Sequence, residues 1–237
     1  MAAFTTNSLN LALHTLDEEA VVLNNRRRLA EALGVEPGRL TFVDQVHGAD
    51  VIRIDPSQVG AGAGPDASEP SRADGMVSDI PGVPLVILTA DCLPIILADA
   101  RHKVVAAVHA GWRGTFDMIA ANAVAAMVGA GANPAAIEAR FGPYIGECCF
   151  EVGADLYSRF ADKFSLAAAP DRPSLDLGRL NKSILIESGL RPENIQTLAL
   201  CTRDNPDLFY SWRRDGVTGR QAAVAAIKNA SNQLVVE

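Results

Sequence analysis

The chain has 237 residues, of which 49% are hydrophobic and 21% are charged, as is typical of a globular protein with a substantial core. Its formal net charge of −7 argues against nucleic acid or an anionic membrane surface as the main partner, because both are negatively charged. No apolar stretch is long enough to predict a transmembrane helix, the first residues lack a signal-peptide pattern, and the cysteines form neither a CxxC pair nor a disulfide framework, so we expect a reduced, cytoplasmic protein.

The first predicted element is an amphipathic helix over residues 18–33, which Gly34 should end. Two predicted strands, residues 39–46 and 50–54, follow it and flank a short turn. The segment after them, residues 60–75, is rich in Gly, Pro and Ser and predicts a loop. This loop is too short and too central in the chain to mark a domain boundary.

Three apolar segments come next, residues 85–90, 94–99 and 103–110. They lack the polar alternation of a strand with one solvated face, so they predict strands that are buried on both faces. The remaining predicted elements are a helix over 115–131, a strand over 136–142, helices over 153–161 and 177–189, a strand over 194–200, and a tail over 219–230 that fits either a helix or a closing strand. This mixed order predicts a single α/β (α+β) domain over residues 1–237, a layered sandwich with a mixed sheet.

Three potential metal ligands share one sequence context. His47, Cys92 and His109 each stand where an apolar predicted strand gives way to a turn. If those strands are neighbours in one sheet, two imidazoles and one thiolate meet there, and such donors suit zinc or copper with a fourth position open. A lone histidine at a strand end is nevertheless more often an ordinary hydrogen-bonded residue, and a lone buried cysteine is usually inert, so the spacing alone leaves the metal site open.

The same residues allow a second interpretation without a metal. Cys92 could act as a nucleophile with His109 or His47 as its base, which would make the protein a Cys/His hydrolase. Asp91, the residue before Cys92, could orient a metal ligand or accept a proton beside the metal.

Two arginine-containing motifs indicate an anion site. Arg113 lies four residues beyond His109, and Arg213, Arg214 and Arg220 surround a glycine turn. Guanidinium groups bind phosphate or carboxylate through two parallel hydrogen bonds, although any one of these arginines is more commonly paired with a surface acid.

Other polar residues fit ordinary structural roles. Adjacent cysteines point in different directions, so Cys148 and Cys149 are predicted to be structural or to line a pocket rather than to chelate one metal. Asp74 precedes a glycine and is predicted to serve in a turn, while His14 and His102 have no supporting neighbours in the sequence.

Five segments together carry a family resemblance: "DQVHGADV", "RADGMVSDIPGVPLVILTADCLPIILAD", "VVAAVHAGWRGT", "GPYIGECCFEVG" and "FYSWRRDGVTGRQ". They are similar to successive motifs of the YfiH-type, or laccase-domain, family, whose members are named polyphenol oxidase, purine nucleoside phosphorylase or peptidoglycan editing factor. The resemblance runs from about residue 7 to the 220s. It implies a single-domain α/β sandwich related to cysteine-hydrolase-like toxin domains, with His47, Cys92 and His109 as zinc ligands.

The resemblance also implies an activity, namely phosphorolysis of adenosine, inosine or 5′-methylthioadenosine, with adenosine deamination in addition. Cys92, Asp91 and Arg113 would then be catalytic, and Arg113, Arg213 and Arg214 would hold phosphate. Zinc is the expected cofactor and copper an alternative, but a multicopper oxidase needs more than four histidines. The expected partners are a nucleoside and phosphate, and the expected state is a monomer.

Two other function classes stay open, a metal-free hydrolase of a peptidoglycan precursor and a non-catalytic accessory protein. One departure from the family pattern is that only "MAAFTT" precedes the block "NSLNLALHT", where relatives carry an extra strand and turn. If that turn contributes to the substrate pocket, we expect weaker or altered activity.

Overall fold

Nine strands and six helices make up the regular structure of the computed structural model, which describes residues 1–15, 17–168 and 170–228. The strands are β1 (Ala2–Phe4), β2 (Val51–Arg53), β3 (Gly75–Ser78), β4 (Leu85–Thr89), β5 (Leu93–Asp99), β6 (Val104–Ala110), β7 (Glu138–Phe141), β8 (Ile195–Thr197) and β9 (Gln221–Ala225). The helices are α1 (Glu19–Leu33), α2 (Trp112–Phe116), α3 (Ile119–Gly129), α4 (Ala154–Phe164), α5 (Leu177–Glu187) and α6 (Trp212–Asp215).

The strands form two sheets. The larger sheet has the order β2-β3-β6-β5-β7-β8, and its two outer pairs, β2 with β3 and β7 with β8, are parallel while the inner pairs are antiparallel. The smaller sheet has the order β1-β9-β4 and is antiparallel throughout. The larger sheet is therefore mixed.

The two sheets pack face to face, and helices cover their outer faces. Met76, Ile96 and Val105 of the larger sheet meet Ile87 and Ala223 of the smaller sheet in the core between them. The outer face of the smaller sheet packs against α1, and the outer face of the larger sheet packs against α3, α4 and α5. Successive residues of a strand point to opposite faces of its sheet. Both faces of β5 and β6 are buried, one against the smaller sheet and one against the helices, which explains their uninterrupted apolar sequence. The predicted layered α/β sandwich with a mixed sheet is confirmed.

The helix predicted over residues 18–33 is confirmed as α1, and Gly34 ends it with a left-handed φ of 67°. The strand predicted over residues 39–46 is wrong, because only isolated bridges form at Thr41 and Asp44. Backbone groups of this segment bond to several different segments, so no continuous ladder develops. The helix predicted over residues 115–131 is divided in two, α2 and α3.

The ambiguous tail contains a strand, β9, over five of its residues, and residues 229–230 of that prediction lie outside the described residues. β9 is the central strand of the smaller sheet, and its five residues are buried. Burial on both faces outweighs the helix propensity of its three alanines. The short strands β1 and β3 were not predicted. The longest described helix, α1, has 15 residues, and no described helix could cross a membrane.

Candidate functional site

The register of the larger sheet brings distant residues to one edge. β5 begins at Leu93, which pairs with Ala110 at the end of β6, so Cys92 lies beside the strand end that carries His109. β3 begins at Gly75, which pairs with Val108 of β6. The residue before Gly75, Asp74, therefore lies beside His109, and the His109 backbone N–H donates to the Asp74 carbonyl oxygen at 2.7 Å.

The three predicted ligands meet at this edge. The potential ligand atoms of His47, Cys92 and His109 all lie within 4.8 Å of one another. The two imidazole rings are nearly perpendicular, with an interplanar angle of 83° and a centroid separation of 4.8 Å. Gly111 leaves room for this approach, because a Cβ atom at that position would lie 3.1 Å from the Cys92 Sγ, closer than is usual for such contacts. The geometric convergence expected from the sequence is thus present.

Asp74 organises the cluster, a role that was not predicted from the sequence. Its carboxylate is fully buried and accepts hydrogen bonds from the backbone N–H groups of His47 at 2.9 Å and Gly48 at 2.6 Å. It also pairs with Nδ1 of His109 at 2.7 Å. His47 has a left-handed φ of 60°, which is uncommon for a residue with a side chain, and the two backbone bonds hold the loop in that conformation.

The signal that could have identified Asp74 is the short apolar strand that follows it. The Asp74-Gly75 pair was predicted to lie in a turn, whereas β3 begins at Gly75. A strand at this point carries Asp74 to the same sheet edge as His109.

The cluster is electrostatically coupled. Burial opposes ionisation of the Cys92 thiol, but the charge of His109 and hydrogen bonds from both histidines outweigh it and lower the pKa of Cys92 to about 6. Burial alone would lower the pKa of His109, but Cys92 and Asp74 raise it to about 9. The lowered pKa of Cys92 and the raised pKa of His109 both favour a thiolate beside an imidazolium.

The donor set fits a soft or borderline cation. Because Asp74 occupies Nδ1 of His109, Nε2 is the nitrogen left for coordination. Two imidazoles and one thiolate are suitable ligands for Zn²⁺ or a copper ion, and three protein ligands leave a fourth position for water or substrate. A carboxylate behind a histidine ligand is a common arrangement in zinc sites.

A cleft of about 1080 Å³ opens onto the cluster. Its volume slightly exceeds the range that is usual for small-molecule sites. Beside the three cluster residues, its polar and aromatic lining includes His14, Arg26, Glu69, Asp91, Trp112, Arg113, Phe150, Trp212, Arg213 and Arg220. The lining therefore combines cationic groups with flat aromatic side chains.

Asp91 lies on the cleft wall, and both of its carboxylate oxygens are engaged. Oδ1 accepts the hydroxyl of Thr202 at 2.6 Å, and Oδ2 accepts the backbone N–H of Arg213 at 2.6 Å. Asp91 has a φ of 89°, and these bonds fix it in that unusual conformation. The carboxylate that pairs with His109 is that of Asp74, whereas the partners of Asp91 are Thr202 and Arg213. Asp74, and not Asp91, is therefore in position to orient the ring of His109.

The predicted anion-binding arginines separate into two groups. Arg113 and Arg213 line the cleft, whereas Arg214 is not among the lining residues. Arg214 instead forms an ion pair with Asp215 at 2.7 Å and donates to backbone carbonyl groups, so its donors are used to hold the loop together. Arg220 does line the cleft.

Arg113 has the most available guanidinium group of this set. It is exposed, stacks on Trp112 at 4.3 Å, and makes no hydrogen bond or ion pair with the residues that the structure describes. Arg213 donates to the carbonyl groups of Cys149 and Glu151 and stacks on Phe150. His14, which the sequence left without a partner, also lines the cleft.

The prediction that Cys148 and Cys149 point apart is wrong. Their sulfur atoms lie 3.5 Å apart, and both thiols contact the carboxylate of Asp204. The two residues belong to a turn in which the N–H groups of Cys149 and Phe150 both donate to the Gly146 carbonyl. A turn does not impose the alternating directions of a strand, which is why the adjacency rule fails here.

This chain is similar to known proteins over most of its length. The family model described as multi-copper polyphenol oxidoreductase laccase matches residues 2–228. The purine nucleoside phosphorylase of Xylella fastidiosa is 37% identical over 219 residues, which cover 89% of this chain and 80% of the relative. The purine nucleoside phosphorylase YlmD of Bacillus subtilis is 34% identical over 231 residues, which cover 94% of this chain and 83% of the relative.

Solved structures of similar proteins have the same fold as this chain. The crystal structure of YlmD from Geobacillus stearothermophilus has a TM-score of 0.89 and 34% identity, and the match covers 97% of this chain and 92% of that one. The hypothetical protein YfiH of Bacillus licheniformis has a TM-score of 0.90 and 31% identity, with 96% and 92% covered. The protein thus belongs to the YfiH/YlmD family of laccase-like proteins.

Proposed function

We propose that this protein is a purine nucleoside phosphorylase whose reaction takes place in the cleft beside His47, Cys92 and His109. The observation that carries the proposal is the available guanidinium of Arg113 on the wall of that cleft. The names of the relatives supply the substrate class, since several are purine nucleoside phosphorylases. The candidate substrates are adenosine, inosine and 5′-methylthioadenosine.

In phosphorolysis, a phosphate oxygen forms a bond to C1′ of the nucleoside while the bond from C1′ to the purine nitrogen breaks. The bonding electrons leave with the purine, which then takes up a proton. We assign Arg113 to hold phosphate in line with C1′, because positioning of two reactants removes most of the entropic barrier. Arg213 would add positive charge to the same wall, since it lines the cleft even though its Nη1 already donates to carbonyl groups.

The cluster would hold a zinc ion, or alternatively copper, through His47, Cys92 and His109. When bound, such a cation can polarise a substrate atom or activate water. Asp74 would fix the ring of His109 with Nε2 toward the cation, and Gly111 would keep the approach to Cys92 open. Adenosine deamination is a further proposed activity of this site, with Asp91 on the cleft wall as the candidate to carry the proton.

The test is incubation of the purified protein, with its zinc content measured, with each nucleoside in the presence and absence of phosphate. We expect a free purine base and ribose 1-phosphate only when phosphate is present. Arg113→Ala should raise the KM for phosphate about 10- to 100-fold, because a hydrogen-bonded ion pair is lost, and should leave the zinc content unchanged. Arg101→Ala, an exposed arginine in the turn at the far end of β5 and β6, is the matched control.

Phosphate-independent cleavage would contradict the phosphorylase proposal, as would a lack of turnover with all three nucleosides. Cys92→Ser should remove the zinc that His47, Cys92 and His109 hold, and with it most of the activity. A Cys92→Ser protein with the zinc content and the activity of the wild type would exclude the cluster as the reaction centre.

The second candidate function is a metal-free Cys/His hydrolase, in which Cys92 attacks the substrate. The lowered pKa of Cys92 and its pairing with His109 favour this alternative, because a thiolate is the reactive form of a cysteine. It requires activity that persists after complete removal of metal and that iodoacetamide abolishes. A chelator-treated protein without activity would exclude it.

A further inference from the structure

A second group of sulfur ligands lies in the loops behind the cleft wall. Cys148 and Cys149 belong to the turn after Gly146, while Cys201 and Asp204 belong to the segment after β8. The three sulfur atoms and a carboxylate oxygen of Asp204 all lie within 4.8 Å of one another. None of these residues belongs to the His47, Cys92 and His109 cluster.

We propose that Cys148, Cys149, Cys201 and Asp204 form a structural metal site for a thiophilic cation, with Zn²⁺ as the expected ion. This site has four protein ligands, whereas the first cluster has three. Structural zinc sites are closed by four protein ligands, and sites that take part in chemistry keep one position open. The two clusters thus differ in their number of protein ligands, which is the feature that distinguishes structural from catalytic zinc sites.

The spacing of the ligand atoms supports the proposal. Zinc–sulfur bonds of about 2.3 Å in a tetrahedral site place two sulfur atoms about 3.8 Å apart. Here the sulfur atoms of Cys148 and Cys149 are 3.5 Å apart, and the carboxylate oxygens of Asp204 lie 3.0 Å and 3.3 Å from those thiols. Small side-chain shifts would bring all four ligands to bonding distance of one ion.

The surroundings complement a negatively charged metal complex. Three thiolates and one carboxylate carry more negative charge than a divalent cation neutralises. The guanidinium of Arg203 lies 3.5 Å from the sulfur of Cys149, and the backbone N–H of Gly146 donates to the sulfur of Cys201 at 3.3 Å. Donors of this kind to coordinated sulfur are typical of metal–thiolate sites.

The backbone already holds the two loops side by side. The Tyr144 N–H donates to the Leu200 carbonyl, and the Thr202 N–H donates to the Tyr144 carbonyl. Thr202 in turn donates to Asp91 on the cleft wall. An ion bound by both loops would therefore stabilise the wall that presents Asp91 and Arg213.

The experiment uses the full-length Cys92→Ser protein, in which the first cluster has lost its thiolate, with all remaining thiols reduced. It is titrated with Co²⁺ alone, whose sulfur-to-metal charge-transfer absorption reports coordination by thiolates. We expect one equivalent of Co²⁺ with strong charge-transfer absorption, and displacement by Zn²⁺. Adding Cys148→Ser or Cys201→Ser should abolish the signal.

Asp204→Asn in the same background should weaken Co²⁺ binding about tenfold or more, as expected for an altered ligand. Asp207→Asn, an exposed aspartate in the same segment, is the matched control and should leave the affinity unchanged. Because Asp204 is exposed, its substitution should not prevent folding, which circular dichroism of the metal-free proteins checks.

Three outcomes would overturn the proposal. They are absence of a sulfur-to-cobalt band in the reduced Cys92→Ser protein, persistence of that band in both cysteine variants, and equal affinities for Asp204→Asn and Asp207→Asn. None of these outcomes depends on nucleoside turnover, so the proposal can fail independently of the phosphorylase function.

Discussion

At the scale of single residues, the site depends on one buried carboxylate. Asp74 contacts the ring of His109 and the backbone of the loop that carries His47. One side chain therefore sets the ring orientation of one ligand and the backbone position of another. A buried carboxylate with this many donors stays ionised, and hydrogen bonding to His109 and to Gly48 lowers its pKa against the opposing effect of burial.

We predict that Asp74→Asn lowers the Zn²⁺ affinity of the His47, Cys92 and His109 cluster about 10- to 100-fold, as is usual when the partner of a histidine ligand is replaced. An amide carries no charge and has a single oxygen. It cannot replace the two carboxylate oxygens, which bond to Nδ1 of His109 and accept from three backbone N–H groups, those of Val46, His47 and Gly48. Competition with a chromophoric chelator measures the affinity.

Asp79→Asn provides the control for this variant, because Asp79 follows the same strand, β3, and pairs with Arg53 at the protein surface. It should bind zinc as the wild type does. Equal zinc affinity in the two variants would show that Asp74 does not orient the ligand.

At the scale of elements, the turn between β5 and β6 depends on Asp99. Its carboxylate accepts hydrogen bonds from the backbone N–H groups of Arg101, His102 and Asn133 and pairs with the ring of His102 at 2.6 Å. Burial would raise the pKa of Asp99, but these bonds, that of Asn133 first, lower it below its usual value. The hairpin that aligns Cys92 with His109 is closed by this turn.

Asp99→Asn should reduce the free energy of unfolding by about 1.5–3 kcal/mol at neutral pH, because bonds to a charged acceptor are lost. A carboxyl group with a lowered pKa contributes stability above its unfolded pKa, and that contribution disappears as the pH falls through the folded pKa. The difference between wild type and variant should therefore shrink as the pH falls below about 4.

Urea unfolding at several pH values measures this difference, and Asp162→Asn, an exposed position in α4, gives the reference. A stability difference that stays constant down to acidic pH would contradict the role of the ionised carboxylate.

The loop over residues 60–75 is held at its start by Gly60. This residue has a φ of 85°, and a Cβ atom there would lie 2.0 Å from the Gly38 carbonyl oxygen. We expect Gly60→Ala to lower the unfolding free energy by about 3 kcal/mol or more, from backbone strain together with the steric clash.

Gly129→Ala at the end of α3, where a Cβ atom would meet no atom within 4 Å, should instead stabilise the protein by about 0.4–1 kcal/mol. Denaturant midpoints of the two variants check the contrast. Similar midpoints would show that the loop accommodates a Cβ atom at residue 60 without strain, which would contradict the prediction.

At the scale of the whole molecule, Arg26 joins α1 to two loops that line the cleft. Its guanidinium is almost fully buried and donates to the carbonyl groups of Leu11, Gly62 and Ala63, while its plane lies over the ring of Phe42 at 4.1 Å. Burial lowers the pKa of Arg26 to about 10. One side chain thus connects the outer helix layer to the functional surface.

Arg26→Lys should cost about 2–4 kcal/mol of stability, because an ammonium group cannot supply the same planar set of donors and leaves buried carbonyl groups unpaired. Arg28→Lys, on the exposed side of the same helix, should change stability by less than about 0.5 kcal/mol. Thermal unfolding compares the two, and a small effect of Arg26→Lys would refute the proposed connection.

The sequence by itself determined the local features of this protein. The apolar runs of β4, β5 and β6 identified strands buried on both faces, and the amphipathic pattern with Gly34 identified α1, because burial and chain termination leave direct marks in the order of residues. The motifs around His47, Cys92 and His109 also identified the family, which the comparisons confirmed.

Only the tertiary structure decided which side chains meet. Asp74 reaches His109 through the pairing of β3 with β6, and Cys201 reaches Cys148 through the contact of two distant loops. It also separated Arg113, which faces the cleft, from Arg214, whose donors hold a loop. Strand register and loop packing depend on contacts between residues far apart in the chain, and local sequence patterns do not encode such contacts.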